Sequence, residues 1–433
     1  INNQYFGLFD YAPYDSEDQG PYSNLLQVQN GNAILNGQAP PNTYNLWDYA
    51  GSQGNNYSIT DNTQFRISAS GSGDIGDHAL QVGFEYEQRK DAYFTVAPLG
   101  LWTLARLYTN SHIKQIDTTD FTVTNQGTDF YITYDRLIGD GQFEFDRNLR
   151  AALGLDPNGN DFINVDGLSP ETFTLDMFGA DDLLNQGNSL VNYSGFDPYG
   201  NKLKGSKPTI EDFFNDTNEN GFRTRPIGAY EPIYISGYVM DKFAFDDIIF
   251  NVGVRIDRFD ANQKVLKDPY VVGEAYTYGD LKGGLINQFD GVVVPSNIGD
   301  DFVVYVDDLD NPSAILGFRD GDTWFNADGA EITDPELIAS NSGKPAPYLV
   351  GDPDADLSSS AFKDYEPQVN IMPRVAFSFP ISDEALFFAH YDILTQRPTS
   401  SNQFNPVDYL FIQNGNSFIS NPNLKPSKTI DYE

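Results

Sequence analysis

Three stretches of this chain alternate apolar and polar residues with a period of two on both sides of a short turn, and that repeated unit restricts the fold more than any other feature. In the first, Phe65, Ile67 and Ala69 alternate with Arg66, Ser68 and Ser70; a turn falls within Gly73 to Asp77; then Leu80, Val82, Phe84 and Tyr86 alternate with Gln81, Gly83, Glu85 and Glu87. Successive side chains of a strand point to opposite faces, so each arm carries one apolar and one polar face. The unit returns where Phe250, Val252, Val254 and Ile256 oppose Asn251, Gly253, Arg255 and Asp257 behind a turn at Asp246 and Asp247. A third copy sets Val369, Ile371, Val375 and Phe377 against Asn370, Met372, Arg374 and Ser378, with its turn at Pro380 to Glu384. Short turns join antiparallel neighbours. The pattern predicts hairpins over about 63–90, 233–259 and 367–397.

Between them run long polar connections, about 110–230 and 260–365, far beyond the usual loop length. Short turns at one end and long loops at the other are the layout of a transmembrane β-barrel, with apolar faces to lipid and polar faces to the lumen. The expected fold is therefore all-β, an antiparallel transmembrane barrel with very long extracellular loops. No stretch approaches the roughly 18 apolar residues of a membrane-spanning helix, but a barrel strand needs only about ten residues of alternating polarity. Composition agrees: hydrophobic residues are only 40%, yet Tyr and Phe number 26 and 32, so apolar mass comes as rings, which favour strands. Tyr86, Tyr93, Phe94, Tyr234, Phe243, Phe245 and Phe259 fall toward strand ends, where interfacial girdles are expected. A soluble sandwich also alternates, but has no reason to sort its loops by length.

With 26 Lys+Arg against 62 Asp+Glu, the formal charge is −36, a field that repels nucleic-acid phosphates. The absence of cysteine removes disulfides, thiol catalysis and thiolate metal sites. The chain starts at Ile1 and stops at Glu433 within what reads as a strand, so it is expected to be a segment of a longer protein.

Local motifs point to cations before catalysis. Asp156, Asn158 and Asn160 stand two apart, with Asn164 and Asp166 beyond; Asp216, Asn218 and Asn220 precede Gly221. Both approach a calcium loop, but the twelfth positions hold Gly167 and Ile227 where a bidentate Glu belongs. The other reading is that Asp, Asn and Gly are simply turn formers. Asp307, Asp308, Asp310, Asp320, Asp322 and Asp328 form a further acidic stretch suited to cations or a basic substrate, or simply to a charged loop surface. His78, His112 and His390 lack metal-ligand spacing, and no G-x-S-x-G elbow exists. No catalytic residues are assigned, and the chain is read as no enzyme. Arg255 and Arg374 are expected on the polar face, His390 beside Asp392, and Trp102, Tyr193, Tyr199 and Trp324 are candidates for a loop vestibule.

The segments FNVGVRIDRFD, NIMPRVAFSFPISDEALFFAHY and NPNLKPSKTIDYE resemble strands of TonB-dependent outer-membrane receptors, the run from Asn421 to Pro426 followed by Ser427 looking like the opening of a late barrel strand. HALQVGFEYEQR and RPIGAYEPIYISGYVMDKFAFDD resemble the large Oar-like members of Bacteroidota. The resemblance implies part of a 22-stranded barrel, with plug and TonB box outside this chain. It further implies an integral outer-membrane location, lipid and the TonB complex as partners, possible surface lipoproteins, and transport of a substrate caught by the loops. The rival is a secreted, calcium-dependent adhesin or polymer-binding module; an acidic glycoside hydrolase ranks third and requires a carboxylate of raised pKa in a cleft.

Overall fold

The computed structural model describes residues 56–127, 129–282, 289, 295–351, 357–382, 384–399, 402–412 and 419–433. The described residues are mostly β, 44% strand and 18% helix, with antiparallel sheets. No described helix is long and apolar enough to cross a membrane, which does not bear on strands.

The elements follow from the alternation. β1 (Tyr57–Ile75) and β2 (His78–Val96) form the first hairpin. Its arms outrun the sequence expectation, and its turn narrows to Gly76 and Asp77, where Gly76 takes a φ of 61° that glycine adopts without strain. Next come β3 (Ile116–Gln126), β4 (Asp129–Arg136) and β5 (Val191–Ser194). The second hairpin is β6 (Ile233–Phe245) and β7 (Ile248–Asp260), turned at Asp246 and Asp247 as expected. β8 (Lys264–Leu266), β9 (Val303–Val306), β10 (Ile315–Asp320), β11 (Thr323–Asn326), β12 (Glu331–Ile332), β13 (Ala346–Pro347) and β14 (Phe362–Asp364) lead to the third hairpin. This is β15 (Gln368–Ser382) and β16 (Ala385–Gln396), and β17 (Ser427–Tyr432) follows. Pro380 does not open a turn: it pairs with Leu386 inside the ladder, beside an irregularity in register, and the strand runs on to Ser382.

The long strands form one sheet in the order β1-β2-β6-β7-β15-β16-β17, with β5 also pairing β2. It is open, ending at β1 and β17. Its strands fall mainly in one of two compact units, Phe65–Gln88 with Glu231–Leu410 and Ser417–Glu433. Registers such as Val82↔Val239, Val239↔Val254, Val254↔Pro373 and Ile256↔Ile371 keep apolar residues on one face across four strands.

Within that unit, the stretch expected as a loop over 260–365 is largely a small β-domain. β8 and β14 pair at its base, and β12-β11-β10-β9-β13 make a five-stranded sheet. One face packs Val304, Val306, Phe318, Ile298 and Ala346; the other packs Tyr305, Trp324 and Ile338. A Cβ on Gly317 would lie 2.3 Å from the Phe325 carbonyl oxygen, so only glycine fits between these strands.

The other unit, Ile1–Gln64 with Arg89–Tyr230 and Phe411–Asn416, replaces the loop expected over 110–230 with a folded α/β region. Leu104, Ala105 and Tyr108 of the helix Pro98–Tyr108 and Phe145 and Leu149 of the helix Glu144–Ala152 are buried with Leu183, Leu184 and Phe213. Asp146, fully buried, accepts from the Asn110 backbone N–H (2.7 Å), Gln142 (2.8 Å) and Arg150 (2.8 Å). Buried charge is tolerated when its bonding capacity is filled in this way.

Candidate functional site

The sheet's two faces differ in chemistry. On one lie Val82, Phe84, Val239, Val252, Val254, Ile256, Ile371 and Val375, all exposed; Ile256 is 47% and Ile371 61% accessible. Near the short turns this face carries a row of rings running across strands: His78 to Phe243 (5.1 Å), Phe243 to Phe250 (5.2 Å), Phe250 to Phe377 (6.3 Å), Phe377 to Phe387 (5.9 Å) and Phe387 to Phe379 (5.1 Å). Of the rings expected in girdles, Phe243 joins this row and Phe245 is exposed at the turn. Phe94 and Phe259 are buried instead. Tyr234 turns its hydroxyl to Asp257 (2.6 Å), and Tyr93 turns to Asn192 (3.2 Å). Position near a strand end did not tell which face a ring takes.

The opposite face is polar and internally bonded. Arg255 donates to Asp257 (2.7 Å), the Tyr234 hydroxyl (2.7 Å) and Ser236 (3.0 Å). Arg374 donates to Asp392 (3.0 Å), and Arg66 to Glu85 (2.7 Å). Both arginines expected on this face are there, neutralised by strand neighbours. His390 shares this face with Asp392, two residues along β16; Arg374 lies opposite Asp392 and takes it, while the register of β17 brings Asp431 within 3.3 Å of the imidazole.

At the long-connection end of this face, Arg397 donates to Glu87 at 2.8 Å and lies over the Tyr234 ring. Glu87 is on β2 and Arg397 directly follows β16, four strand spacings along the sheet, about 19 Å were it flat. Two side chains cannot bridge that, so the sheet curls toward its polar face. A cavity of about 210 Å³ sits in the curl, lined by Tyr234, Asp257, Phe259, Asn370, Gln396 and Arg397 among others. Sequence reading missed it because Glu87 and Arg397 are 310 residues apart.

The calcium candidates are dispersed among other bonds. Asp156 accepts from the Asn158 backbone (3.0 Å) as a simple turn, and Asp166 takes Arg106 at 2.5 Å. Asn218 accepts the N–H groups of Asn220 and Phe222 and donates to Glu144 (2.6 Å). Asp216 ends a short helix, and Asn160 lies in irregular chain beyond the Asp156 turn. Among the described residues no three His, Asp or Glu side chains gather in a metal-holding group. Asp307 is held down to about 2 by the Ser313 hydroxyl and the N–H groups of Ala314 and Ser313, and Asp308 accepts from Asp310 and Asn311. Asp322 accepts from the Tyr270 hydroxyl (2.9 Å), while Asp320 ends β10.

The vestibule candidates are mostly core. Tyr193 is buried, donating to the Arg225 carbonyl (2.8 Å), and Trp324 packs on Tyr305. Tyr199 bonds the Phe178 carbonyl, and Trp102 meets Phe173 edge-on. In loops this well folded, rings serve packing first.

Among the described residues burial raises the pKa of three carboxyls, Glu144, Asp182 and Asp408, the property a glycoside hydrolase needs, and the first two are neighbours. Burial pushes Asp182 up to about 6 and also raises Glu144. Each is only 6% accessible. Asp182 accepts the N–H groups of Phe145 (3.1 Å) and Gly179 (2.9 Å), a capping arrangement for two helices.

No family model, curated protein or solved structure matches this chain.

Proposed function

We propose that the chain is part of an outer-membrane β-barrel of the TonB-dependent receptor kind, of the Oar-like type it resembles, with substrate captured by the folded modules that join its hairpins and passed through a plugged lumen. The observation that carries this reading is the exposed apolar face of the long-stranded sheet, backed by a polar face toward which the sheet curls. A water-soluble antiparallel sheet buries its apolar face against a core; a lipid-facing one leaves it outward. The ring row beside the short turns sits where an interfacial girdle belongs, and the bonded charges of the other face suit a wetted lumen. An open sheet has unpaired edges at β1 and β17, which a spanning structure closes with further strands.

The test is fractionation of cells making the full-length gene product. Retention in outer membranes after carbonate washing, with heat-modifiable migration on gels, is the expected result. Release as a water-soluble protein overturns the proposal and favours the secreted calcium-dependent adhesin.

A further inference from the structure

The cavity in the curl of the sheet has a composition that specifies a ligand class. Two ionised side chains line it, Asp257 and Arg397, and each is cancelled by a partner beyond the lining, Arg255 at 2.7 Å and Glu87 at 2.8 Å. Arg397 is further committed to the Tyr234 ring, and Arg255 to the Tyr234 hydroxyl and Ser236. A charged ligand would have to break one of these pairs and leave a partner orphaned; Glu87, 3% accessible, is a poor candidate to be left alone. What remains unspent is neutral. Asn370 on β15 and Gln396 on β16 line the same cavity, and among the described residues their side-chain amides take part in no hydrogen bond. Each amide presents an acceptor oxygen and two N–H donors side by side, the complement of a hydroxyl, which is donor and acceptor together. At about 210 Å³ the space is below the roughly 300–1,000 Å³ of drug-sized sites, room for one small ring.

Resting on the transport reading above, we infer that this cavity is a subsite for an uncharged, hydroxyl-rich ligand of one hexose ring, held by the Asn370 and Gln396 amides against the neutralised wall formed by Tyr234, Asp257 and Arg397. The wall positions; the two amides recognise.

The test is saturation-transfer NMR on the full-length protein in detergent, with D-glucose as probe and glycylglycine and succinate as charged competitors. Glucose is expected to receive saturation, and the Asn370→Ala/Gln396→Ala double variant to reduce that signal at least fivefold. Asn251→Ala, on the same polar face but outside the cavity, is expected to leave it unchanged. Without any variant, glucose is expected to slow backbone hydrogen exchange in 368–372 and 394–397. Absence of glucose saturation, a signal indifferent to the double variant, or stronger binding of either charged competitor overturns the inference. Heat-modifiable migration of the same samples reads the membrane proposal separately: its loss defeats that proposal, while the glucose signal still reports on the cavity.

Discussion

Replacing Asp182 by Asn should change the pH dependence of one region of the molecule in a calculable way. Burial raises the Asp182 carboxyl from 3.8 to about 6, so the folded state binds its proton more tightly than the unfolded chain. The stability associated with a raised acid is greatest below the unfolded value and falls as pH rises through the folded one. A change from 3.8 to about 6 makes the charged form less favourable by about 3 kcal/mol. The substituted amide would be neutral throughout, and its carbonyl oxygen can still accept from Phe145 and Gly179. Hydrogen exchange of peptides covering 143–147 and 179–184, corrected for intrinsic rates, reports the local opening free energy. The difference between wild type and Asp182→Asn should shift by roughly 2.4 kcal/mol between pH 4 and pH 7.5, the wild type losing protection as pH rises. Other titrating groups are common to both proteins and cancel, apart from Glu144 and Asp181, whose charges act on Asp182 directly. Parallel curves would refute the argument, since the carboxyl would then be as well solvated inside as outside. Asp182→Ala should be worse at every pH, because it orphans two N–H groups at about 1–3 kcal/mol each.

Val254→Arg, on the apolar face, should impair membrane insertion by about 2–4 kcal/mol, whereas Asn251→Arg on the polar face should insert normally; equal behaviour in a liposome-folding assay would contradict the assignment of faces. Arg397→Ala should lower the urea midpoint more than the double change Glu87→Gln/Arg397→Gln, because the single change strands a buried carboxylate; the reverse order would show that the pair is dispensable. Gly317→Ala should unfold the small β-domain locally, overpacking of this kind typically costing about 1–3 kcal/mol, seen as lost protection across 303–306 and 323–326. Chelating calcium with EGTA should leave exchange at 156–166 and 216–222 unchanged, since Arg106 and backbone N–H groups already occupy the Asp166 and Asn218 oxygens; faster exchange would place a cation there.

The hairpins were readable because alternation is local: Val252, Val254 and Ile256 reveal their common face within five residues. Their turns were readable to the extent that turn residues act alone, as Asp246 and Asp247 do. Pro380 misled, since a proline is tolerated in a strand beside a ladder irregularity, and the sequence does not mark where one falls. The connecting modules were hidden for another reason. Their cores join residues such as Tyr108, Phe145 and Leu184, dispersed over many short elements with no period to betray them. The concave site was hidden by distance along the chain, because Tyr234, Asn370 and Arg397 become neighbours only after the strand order is known. Charge pairs followed the same rule: the partners of His390 and Arg374, Asp431 and Asp392, stand on neighbouring strands.

The bond from Glu87 to Arg397 also bears on fidelity of assembly. Between its ends lie β6, β7 and β15, each free in principle to slide against its neighbours. A slip of one residue turns every side chain of a strand to the wrong face, and a slip of two moves it by roughly 6.6 Å, more than a 2.8 Å contact can absorb. A single chord across the bend therefore proofreads four ladders at once, closing only when all of them are in step.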